Sequence, residues 1–451
     1  MPITTTDPQS IARNITGAIE CDDLYGLPDR VRATLPHLGF PQIAWSDSRA
    51  AGERWLALGE ADGVSVEAGA GFDEVVEAIA GARARLVEMR ASGLMRYVGG
   101  FAFDPRDART GDWPDGGAAR FVLPRVLLRQ AAGDTRADMI VIGMAEPEAR
   151  EMIREIGRIA CPSRVAGARD GRVRLEPRVS AQRKEAWIAG VRDALREIAS
   201  GKVRKVVLSQ DIDLDAAAPC DPWSIARVID ARSPHGFRFC FRFDEGGAAF
   251  LGATPERLVA QRGRLVTCDC LAGTIARGDT PDEDRAQAAR LHGSEKDRRE
   301  HHFVLDGIRE AIAPVAQWCE SPSSPEILKL AKILHLSSPV RAWLRDGVGI
   351  GDLVMRIHPT PAVAGSPRTE AMDLIRRIEG RSRAWYAGAV GWIGADEADF
   401  AVAIRSAIVR DGGMTVFGGA GIVSGSDPEA EWEETARKTA SLTSLFAESA
   451  E

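Results

Sequence analysis

The chain has 451 residues, with 58 lysine and arginine and 65 aspartate and glutamate residues, which gives a formal net charge of −7. This acidic balance argues against a protein that binds nucleic acid or an anionic membrane surface. The hydrophobic fraction of 45% fits a soluble globular enzyme, and no apolar run approaches the roughly 18 residues that a membrane-spanning helix needs. The first residues lack the basic and apolar regions of a signal peptide, so we expect a cytoplasmic protein.

The cysteines are also typical of a reducing compartment. Their number is odd, they are widely scattered and no C-x-x-C occurs. Cys268 and Cys270 share one face of a predicted strand without further metal ligands nearby in sequence, so we expect no zinc site. The seven are Cys21, Cys161, Cys220, Cys240, Cys268, Cys270 and Cys319.

The first third of the chain contains a few predicted elements. Residues 1 to about 20 are polar and predict a loose segment. Phe72–Arg90 has apolar residues at helical spacing, and Met95–Asp104 is typical of a strand interrupted by glycines. Residues 161–178 predict a surface connection between two parts of one domain spanning 1–451, a variable part (1–160) and a motif-bearing part (180–451).

The patterns of apolar and polar residues are clearer after residue 180. An amphipathic helix is predicted over Ser180–Ser200. Mixed strands and long helices then favour a large α+β or α/β architecture. The predicted strands are Arg238–Phe243, Ala248–Leu251 and Leu265–Cys270, and the predicted helices are Thr280–His292, Lys296–Ala313, Thr369–Ile378 and Glu429–Ala447.

One lysine, Lys205, lies in a stretch that otherwise predicts a buried strand, Lys202–Gln210. Burying an ammonium group costs several kcal/mol unless something uses or neutralises it. A desolvated lysine can act as a base near neutral pH. A cation on the polar face of an edge strand explains the pattern equally well, so the segment alone leaves both readings open.

Two acidic pairs have i,i+3 spacing on predicted helices, Asp297 with Glu300 and Glu431 with Glu434. Two such helices facing each other would bring four oxygen donors together. That arrangement suits Mg²⁺ when a ligand supplies the remaining oxygens. The alternative is a pair of solvated acidic helix surfaces.

Three further segments have features of ligand contacts. Val416–Gly425 is an apolar strand that runs into glycines, and a glycine-rich turn lets backbone amides approach an anion. It lacks the lysine and serine or threonine of a nucleotide P-loop. Glu256 follows a proline at a strand end, where loop catalytic groups often lie. Arg405 lies within the apolar run Val402–Ile408, which predicts a buried guanidinium with a carboxylate partner.

Together these segments resemble the chorismate-utilising enzymes, the family of isochorismate, salicylate, anthranilate and aminodeoxychorismate synthases. The resemblance extends from about residue 185 to the C-terminus, and the N-terminal part matches only loosely at Gly99–Asp104. Its motifs are Lys205-Val-Val-Leu-Ser, Gly252-Ala-Thr-Pro-Glu-Arg-Leu258, Leu271-Ala-Gly-Thr274, Glu295-Lys-Asp-Arg-Arg-Glu-His301, His358-Pro-Thr-Pro-Ala-Val-Ala-Gly365, Gly419-Ala-Gly-Ile422 and Glu431-Trp-Glu-Glu-Thr435.

The resemblance implies an α+β fold of two large, mainly antiparallel β-sheets with flanking helices and an active site in the cleft. It implies Mg²⁺ held by Glu300 and Glu434, with Asp297 and Glu431 in support, and the metal holding the ring carboxylate of chorismate. Arg405 and the 419–421 amides would receive the other carboxylate. The implied substrate contacts are Ala272, Gly273, Thr274, His335, Ala362, Arg405, Gly419, Ala420, Gly421 and Lys438.

The resemblance also separates the family members. They share addition of a nucleophile at ring C2 with loss of the C4 hydroxyl, which Glu256 would protonate. Lysine at position 205 is typical of members that use water, whereas glutamine is typical of those that use ammonia. Alanine at 272 disfavours the covalent lysine of aminodeoxychorismate synthases, and no tryptophan-feedback motif of anthranilate synthases is apparent near the N-terminus. Gln210, where many relatives have arginine, should face away from the substrate because it has odd parity relative to Lys205.

The full His358–Gly365 string, with Ala362 facing the ring, favours the isochorismate synthases. We therefore expect reversible conversion of chorismate to isochorismate for siderophore, salicylate or menaquinone biosynthesis, by a monomer with no obligatory glutaminase partner. The alternatives are a salicylate synthase, which also eliminates pyruvate, an enzyme like anthranilate synthase component I, and a non-catalytic chorismate-binding subunit.

Overall fold

A computed structural model describes residues 11–48, 52–91, 93–107, 113, 116–160, 174–178, 181–233, 235–330 and 333–445. Most of the predicted connection at 161–178 lies outside these ranges. The helices are α1 (Leu27–Thr34), α2 (Phe72–Glu88), α3 (Glu146–Ala160), α4 (Ala181–Ala199), α5 (Pro222–Arg232), α6 (Pro281–Gly293), α7 (Glu295–Ile312), α8 (Ile350–Ile357), α9 (Arg368–Glu379) and α10 (Pro428–Thr443). None of them is both long and apolar enough to cross a lipid bilayer.

The strands of the N-terminal part are β1 (Asn14–Glu20), β2 (Gln42–Asp47), β3 (Glu53–Val66), β4 (Tyr97–Phe101), β5 (Ala119–Gln130), β6 (Arg136–Ile142) and β7 (Leu175–Pro177). Those of the C-terminal part are β8 (Lys205–Ala216), β9 (Phe237–Arg242), β10 (Ala249–Thr254), β11 (Arg257–Arg262), β12 (Leu265–Cys268), β13 (Leu271–Ala276), β14 (Ala316–Glu320), β15 (Glu326–Lys329), β16 (Ile333–Ser337), β17 (Val340–Leu344), β18 (Gly365–Ser366), β19 (Ala389–Ile393), β20 (Glu397–Val402), β21 (Ser406–Arg410) and β22 (Gly413–Val423).

The large sheet branches at β5. One edge of this strand pairs with β3, and the other pairs with β4 near its start and with β6 near its end. The first arm continues from β3 through β2, β9, β10, β21 and β22 to β8, and the second from β4 through β19, β20, β11, β12 and β17 to β14. Strands β13, β16 and β15 form a separate small sheet. The described pairings are antiparallel, which confirms the predicted α+β class.

Two of the connections between the arms are only two or three residues long. The β10–β11 connection contains Glu256, and the β20–β21 connection contains Arg405. The two run side by side, because Val402 N–H donates to Glu256 O at 3.0 Å and Ala253 N–H donates to Arg405 O at 3.0 Å. The fold therefore brings two residues that are 149 positions apart in the sequence to the junction of the arms.

The predicted helices and strands agree closely with the structure, but three expectations were wrong. Residues 14–20 are not loose: they form β1, which pairs with β6 and is covered by α3, so that Ile19 is buried. Arg405 is not inside a strand but in the turn between β20 and β21, with a φ of 52°. The glycines 418–421 are not a turn, since β22 continues through them to Val423 and pairs with β8 throughout.

Candidate active site

A cavity at the junction of the arms collects the predicted site residues. Its walls come from β8, β13, β22, α7, α10 and the two connections between the arms. Every residue of the predicted set lines it except Ala420. The lining residues that the sequence did not single out include Val207, Arg383, Tyr386, Ile404 and Phe417.

Lys205 begins β8 and is 1% exposed. Strands flank it on both sides, because it pairs with Val423 of β22 and with Ser366 of β18. The edge-strand explanation of this lysine is therefore wrong. Its Nζ lies 2.9 Å from Glu300 Oε1. Gln210 faces the opposite side of β8, where its amide contacts the Thr435 hydroxyl, as the strand parity predicted.

Gly421 leaves room for the pair of Lys205 and Glu300. A Cβ at position 421 would lie 2.8 Å from Glu300 Oε1 and 3.0 Å from Lys205 Cε, closer than such atoms normally approach. The sequence suggested a backbone amide as the contribution of this glycine. The geometry adds a second reason for glycine, because any side chain here would displace the lysine or the glutamate.

Glu256 is a buried acid that faces the same cavity. It is 4% exposed, and burial raises its pKa from 4.5 to about 8, with Asp269 acting in the same direction and Lys205, Arg405 and Lys438 opposing it. Its backbone is held by the Thr254 hydroxyl, which accepts from Glu256 N–H at 3.3 Å. At neutral pH the site therefore offers a protonated carboxyl group, which is the form a general acid requires.

The acidic wall is formed by the first two turns of α7 and α10. Asp297 and Glu300 lie on α7, and Glu431 and Glu434 lie on α10. Burial and the neighbouring carboxylates raise the pKa of Asp297 and Glu431. Although burial alone would raise the pKa of Glu434, Lys438 holds it below its usual value, with Nζ 2.6 Å from Oε1.

This wall is a set of oxygen donors under mutual repulsion. Ser426 Oγ donates to Glu431 Oε1 at 2.7 Å, and Lys296 Nζ lies 3.5 Å from the same oxygen. Within the described ranges no three Asp, Glu, His or Cys side chains lie close enough to form a metal centre by themselves. Mg²⁺ usually takes only one or two protein carboxylates and completes its shell with water and substrate oxygens, so Glu300 and Glu434 fit that ion.

The cavity lining also contains the cations Arg405 and Lys438. Arg405 is half-buried in its left-handed turn, and burial lowers the pKa of its guanidinium. The turn needs glycine at position 252, because a Cβ there would lie 2.6 Å from Arg405 O. A strained non-glycine residue of this kind often marks a functional site. Together with Lys438, Arg405 supplies the positive charge that an anionic ligand would need.

The glycine-rich end of β22 contributes Phe417, Gly418, Gly419 and Gly421 to the cavity lining. Lys438 Nζ donates to Gly419 O at 2.9 Å, so the peptide groups of Gly419 face away from β8. Ala420 pairs with Leu208 of β8, is fully buried and does not line the cavity. Ala420 was predicted as a substrate contact, and it is the one member of the predicted set that the cavity lining does not include.

The small sheet contributes His335 and Thr274 to the cavity lining. Burial, helped by Arg405 and Lys438, lowers the pKa of His335 to about 3, so the ring is neutral at physiological pH. Its Nδ1 lies 2.9 Å from Thr274 Oγ1 and 3.3 Å from Gly273 O. Contact with a carbonyl oxygen assigns the proton to Nδ1 and leaves Nε2 as an acceptor.

A buried ion pair that the sequence analysis missed supports the cavity floor. Arg383 and Glu379 are 2% and 3% exposed in their side chains and contact each other across the end of α9. Arg383 also donates to Val207 O at 2.7 Å and to Val363 O at 2.9 Å, and Glu379 accepts from Ser209 N–H at 2.7 Å. The pair thus joins β8 to the segment that carries Ala362. The i,i+4 spacing of Glu379 and Arg383 could have indicated this pair from the sequence.

Comparison with known proteins identifies the family. The sequence matches the family described as chorismate binding enzyme over residues 38–447. The chain belongs to this family. The resemblance predicted from the motifs is therefore confirmed, and the match extends well into the N-terminal part, where the motifs are weak.

Similar proteins in the chorismate-binding family include isochorismate synthases. The salicylate biosynthesis isochorismate synthase of Pseudomonas aeruginosa is 36% identical over 358 residues, which cover 77% of this chain and 73% of that protein. Isochorismate synthase MenF of Bacillus subtilis is 31% identical over 361 residues, covering 77% and 74%. The structure resembles MenF, the menaquinone-specific isochorismate synthase from Escherichia coli, with a TM-score of 0.77, 26% identity and coverage of 96% and 94%.

Proposed function

We propose that this protein is an isochorismate synthase that interconverts chorismate and isochorismate. The observation that carries the proposal is the placement of Lys205 and Glu256 in one cavity, a buried amine and a buried protonated carboxyl group. The isochorismate synthases among its relatives support the same reaction. Its product would feed menaquinone, salicylate or siderophore biosynthesis.

These two groups account for both protons that move in the reaction. Water forms a bond to ring C2 and gives one proton to Lys205 Nζ. The ring double bonds shift, the C4–oxygen bond breaks, and the departing hydroxyl takes the proton of Glu256 and leaves as water. The net change is an isomerisation, and the same groups with exchanged protons catalyse the reverse reaction.

The two carboxylates of chorismate require separate positive sites. Arg405, whose planar guanidinium suits a carboxylate, and the backbone at Gly419 and Gly421 would receive the enolpyruvyl carboxylate. The neutral His335 offers Nε2 to a substrate hydroxyl. Ala272 and Ala362 leave space for the ring, and an alanine at 272 provides no second amine.

We propose that Mg²⁺ is held by Glu300 and Glu434, with Asp297 and Glu431 in support. A bound Mg²⁺ would neutralise the ring carboxylate and orient it for reaction. In the ligand-free arrangement Glu300 is paired with Lys205 and Glu434 with Lys438. Metal binding by Glu300 would therefore compete with its ion pair to Lys205.

The test is product identity. The purified protein is incubated with chorismate, with and without Mg²⁺, and the products are separated by chromatography and identified by NMR. We expect isochorismate only with Mg²⁺ and no release of pyruvate. Stoichiometric pyruvate and salicylate would instead establish a salicylate synthase, and tight chorismate binding without any product would establish a binding subunit. We further propose a monomer that needs no glutaminase, which sedimentation analysis of the active protein checks.

A further inference from the structure

A motif residue with no role in the proposed reaction lies behind the cavity wall. His301 directly follows Glu300 on α7 and is buried. Its Nδ1 lies 3.3 Å from Ala272 O, and its Nε2 lies 2.8 Å from Ser338 Oγ. Because a carbonyl oxygen can only accept, Nδ1 must carry a proton and donate it to Ala272 O. The ring therefore joins α7 to the small sheet.

The carbonyl group that His301 holds belongs to a β-bulge in the cavity lining. Between Ala272 and Thr274 the pairing of β13 with β16 shifts by one residue, and Gly273 is the extra residue, with a φ of 79°. A bulge takes backbone groups out of the regular ladder, so they need other partners. Two histidine rings supply them, because His301 donates to Ala272 O and His335 donates to Gly273 O at 3.3 Å.

The other contact of the ring is fixed by the backbone of the small sheet. Ser338 is fully buried and directly follows β16. Its N–H donates to Cys270 O at 3.0 Å, and Cys270 N–H donates to Ser338 O at 3.3 Å. The Cys270 thiol also donates to His301 O at 3.7 Å. The His301 ring is thus held on both sides by the segments that flank the bulge.

The bulge stands directly against the face of α7 that carries the carboxylates. A Cβ at Gly273 would lie 3.0 Å from Asp297 Cβ, so the helix and the bulge leave no room for a side chain at this position. The bulge and Glu300 line the same cavity. Because His301 connects the two, it fixes the separation of these parts of the lining.

We propose that His301 is a positioning residue that sets the place of the bulge at Ala272 and Gly273 relative to Glu300. The inference rests on the function proposed above, in which the bulge borders the substrate ring and Glu300 binds Mg²⁺. His301 itself is not among the residues that line the described cavity. A bulge that moved away from α7 would leave the ring poorly aligned with the base and the acid, so turnover would fall.

Two substitutions separate the two contacts of the ring. The amide nitrogen of asparagine is as many bonds from Cα as histidine Nδ1, so His301→Asn can keep the donor to Ala272 O and loses Ser338. The amide nitrogen of glutamine corresponds to Nε2, so His301→Gln can keep Ser338 and loses Ala272. His302→Gln, at the exposed next position of α7, is the matched control.

The expected effect is on kcat more than on KM, because misalignment affects the reacting atoms while the charged groups that bind the substrate stay in place. We expect His301→Gln to lower kcat by about 10–100-fold and His301→Asn to stay within about threefold of the wild type. Equal losses in the two variants, or no loss in His301→Gln, would overturn the role of the Ala272 contact. A loss that higher Mg²⁺ concentration restores would also overturn it, since the effect would then lie with Glu300.

An NMR measurement separates this inference from the proposed function. The ring nitrogen signals of His335, identified by their loss in His335→Gln, report on the bulge because Nδ1 contacts Gly273 O. In the ligand-free protein we expect these signals to shift in His301→Gln and to stay in place in His301→Asn and His302→Gln. Unchanged signals in His301→Gln overturn the positioning role. A wild-type protein that forms no isochorismate overturns the proposed function alone, since the NMR measurement needs no turnover.

Discussion

The buried acid Glu256 provides a quantitative prediction about stability. In the native protein its pKa is about 8, whereas 4.5 is the ordinary value expected in the unfolded chain. The native state therefore binds more protons than the unfolded state between these pH values, so stability falls as pH rises through this range. Each tenfold difference in proton affinity corresponds to about 1.4 kcal/mol, so the loss is about 5 kcal/mol in full and about 3 kcal/mol between pH 5.5 and pH 8.

Glu256→Gln removes this titration and keeps the shape of the side chain. We expect the variant to gain stability relative to the wild type by about 3 kcal/mol on going from pH 5.5 to pH 8, although it loses the acid needed for turnover. Urea unfolding at both pH values measures the change, and Glu310→Gln on the exposed face of α7 controls for the substitution itself. A stability difference that is the same at both pH values would refute a perturbed Glu256.

The remaining predictions concern other parts of the site. Lys205→Ala should lower kcat by roughly 10²–10⁴-fold while chorismate still binds, measured by turnover and calorimetry, and unchanged turnover would exclude a base at this position. Arg405→Lys should raise KM by about tenfold or more and change kcat less, because an ammonium group cannot make the bidentate contact, and steady-state kinetics at saturating Mg²⁺ check this. Glu379→Ala should destabilise the protein by about 3 kcal/mol, since it leaves Arg383 buried and unpaired, whereas Glu379→Gln should cost less because it retains an acceptor for Ser209. Thermal unfolding measures this loss of stability. Both variants unfolding at the same temperature as the wild type would contradict the prediction.

Local patterns predicted much of the site. The apolar run around Lys205 predicted a buried strand, and the i,i+3 spacing of the acidic pairs placed both on the correct faces of α7 and α10. The proline before Glu256 identified a strand end. Each of these signals depends on neighbours within a few positions, which is the range that sequence periodicity reports.

The remaining features depend on contacts between distant segments. The turn at Arg405 arises where the chain passes from β20 in one arm to β21 in the other, and an apolar run cannot reveal that change of partner. Likewise, glycine at 421 is required by Lys205 and Glu300, which approach it from β8 and α7. The difference at Ala420 has a simpler source, because the glycine-rich segment looked like a turn in which successive amides could point the same way.

The most direct test of the account is the origin of the oxygen at C2. Chorismate is incubated with the enzyme and Mg²⁺ in oxygen-18 water, and isochorismate from the first turnovers is analysed by mass spectrometry and NMR. If water is the nucleophile, one labelled oxygen is present at C2 of each product molecule, and Lys205→Ala forms essentially none. Unlabelled isochorismate, or an aromatic product with release of pyruvate, would contradict the account.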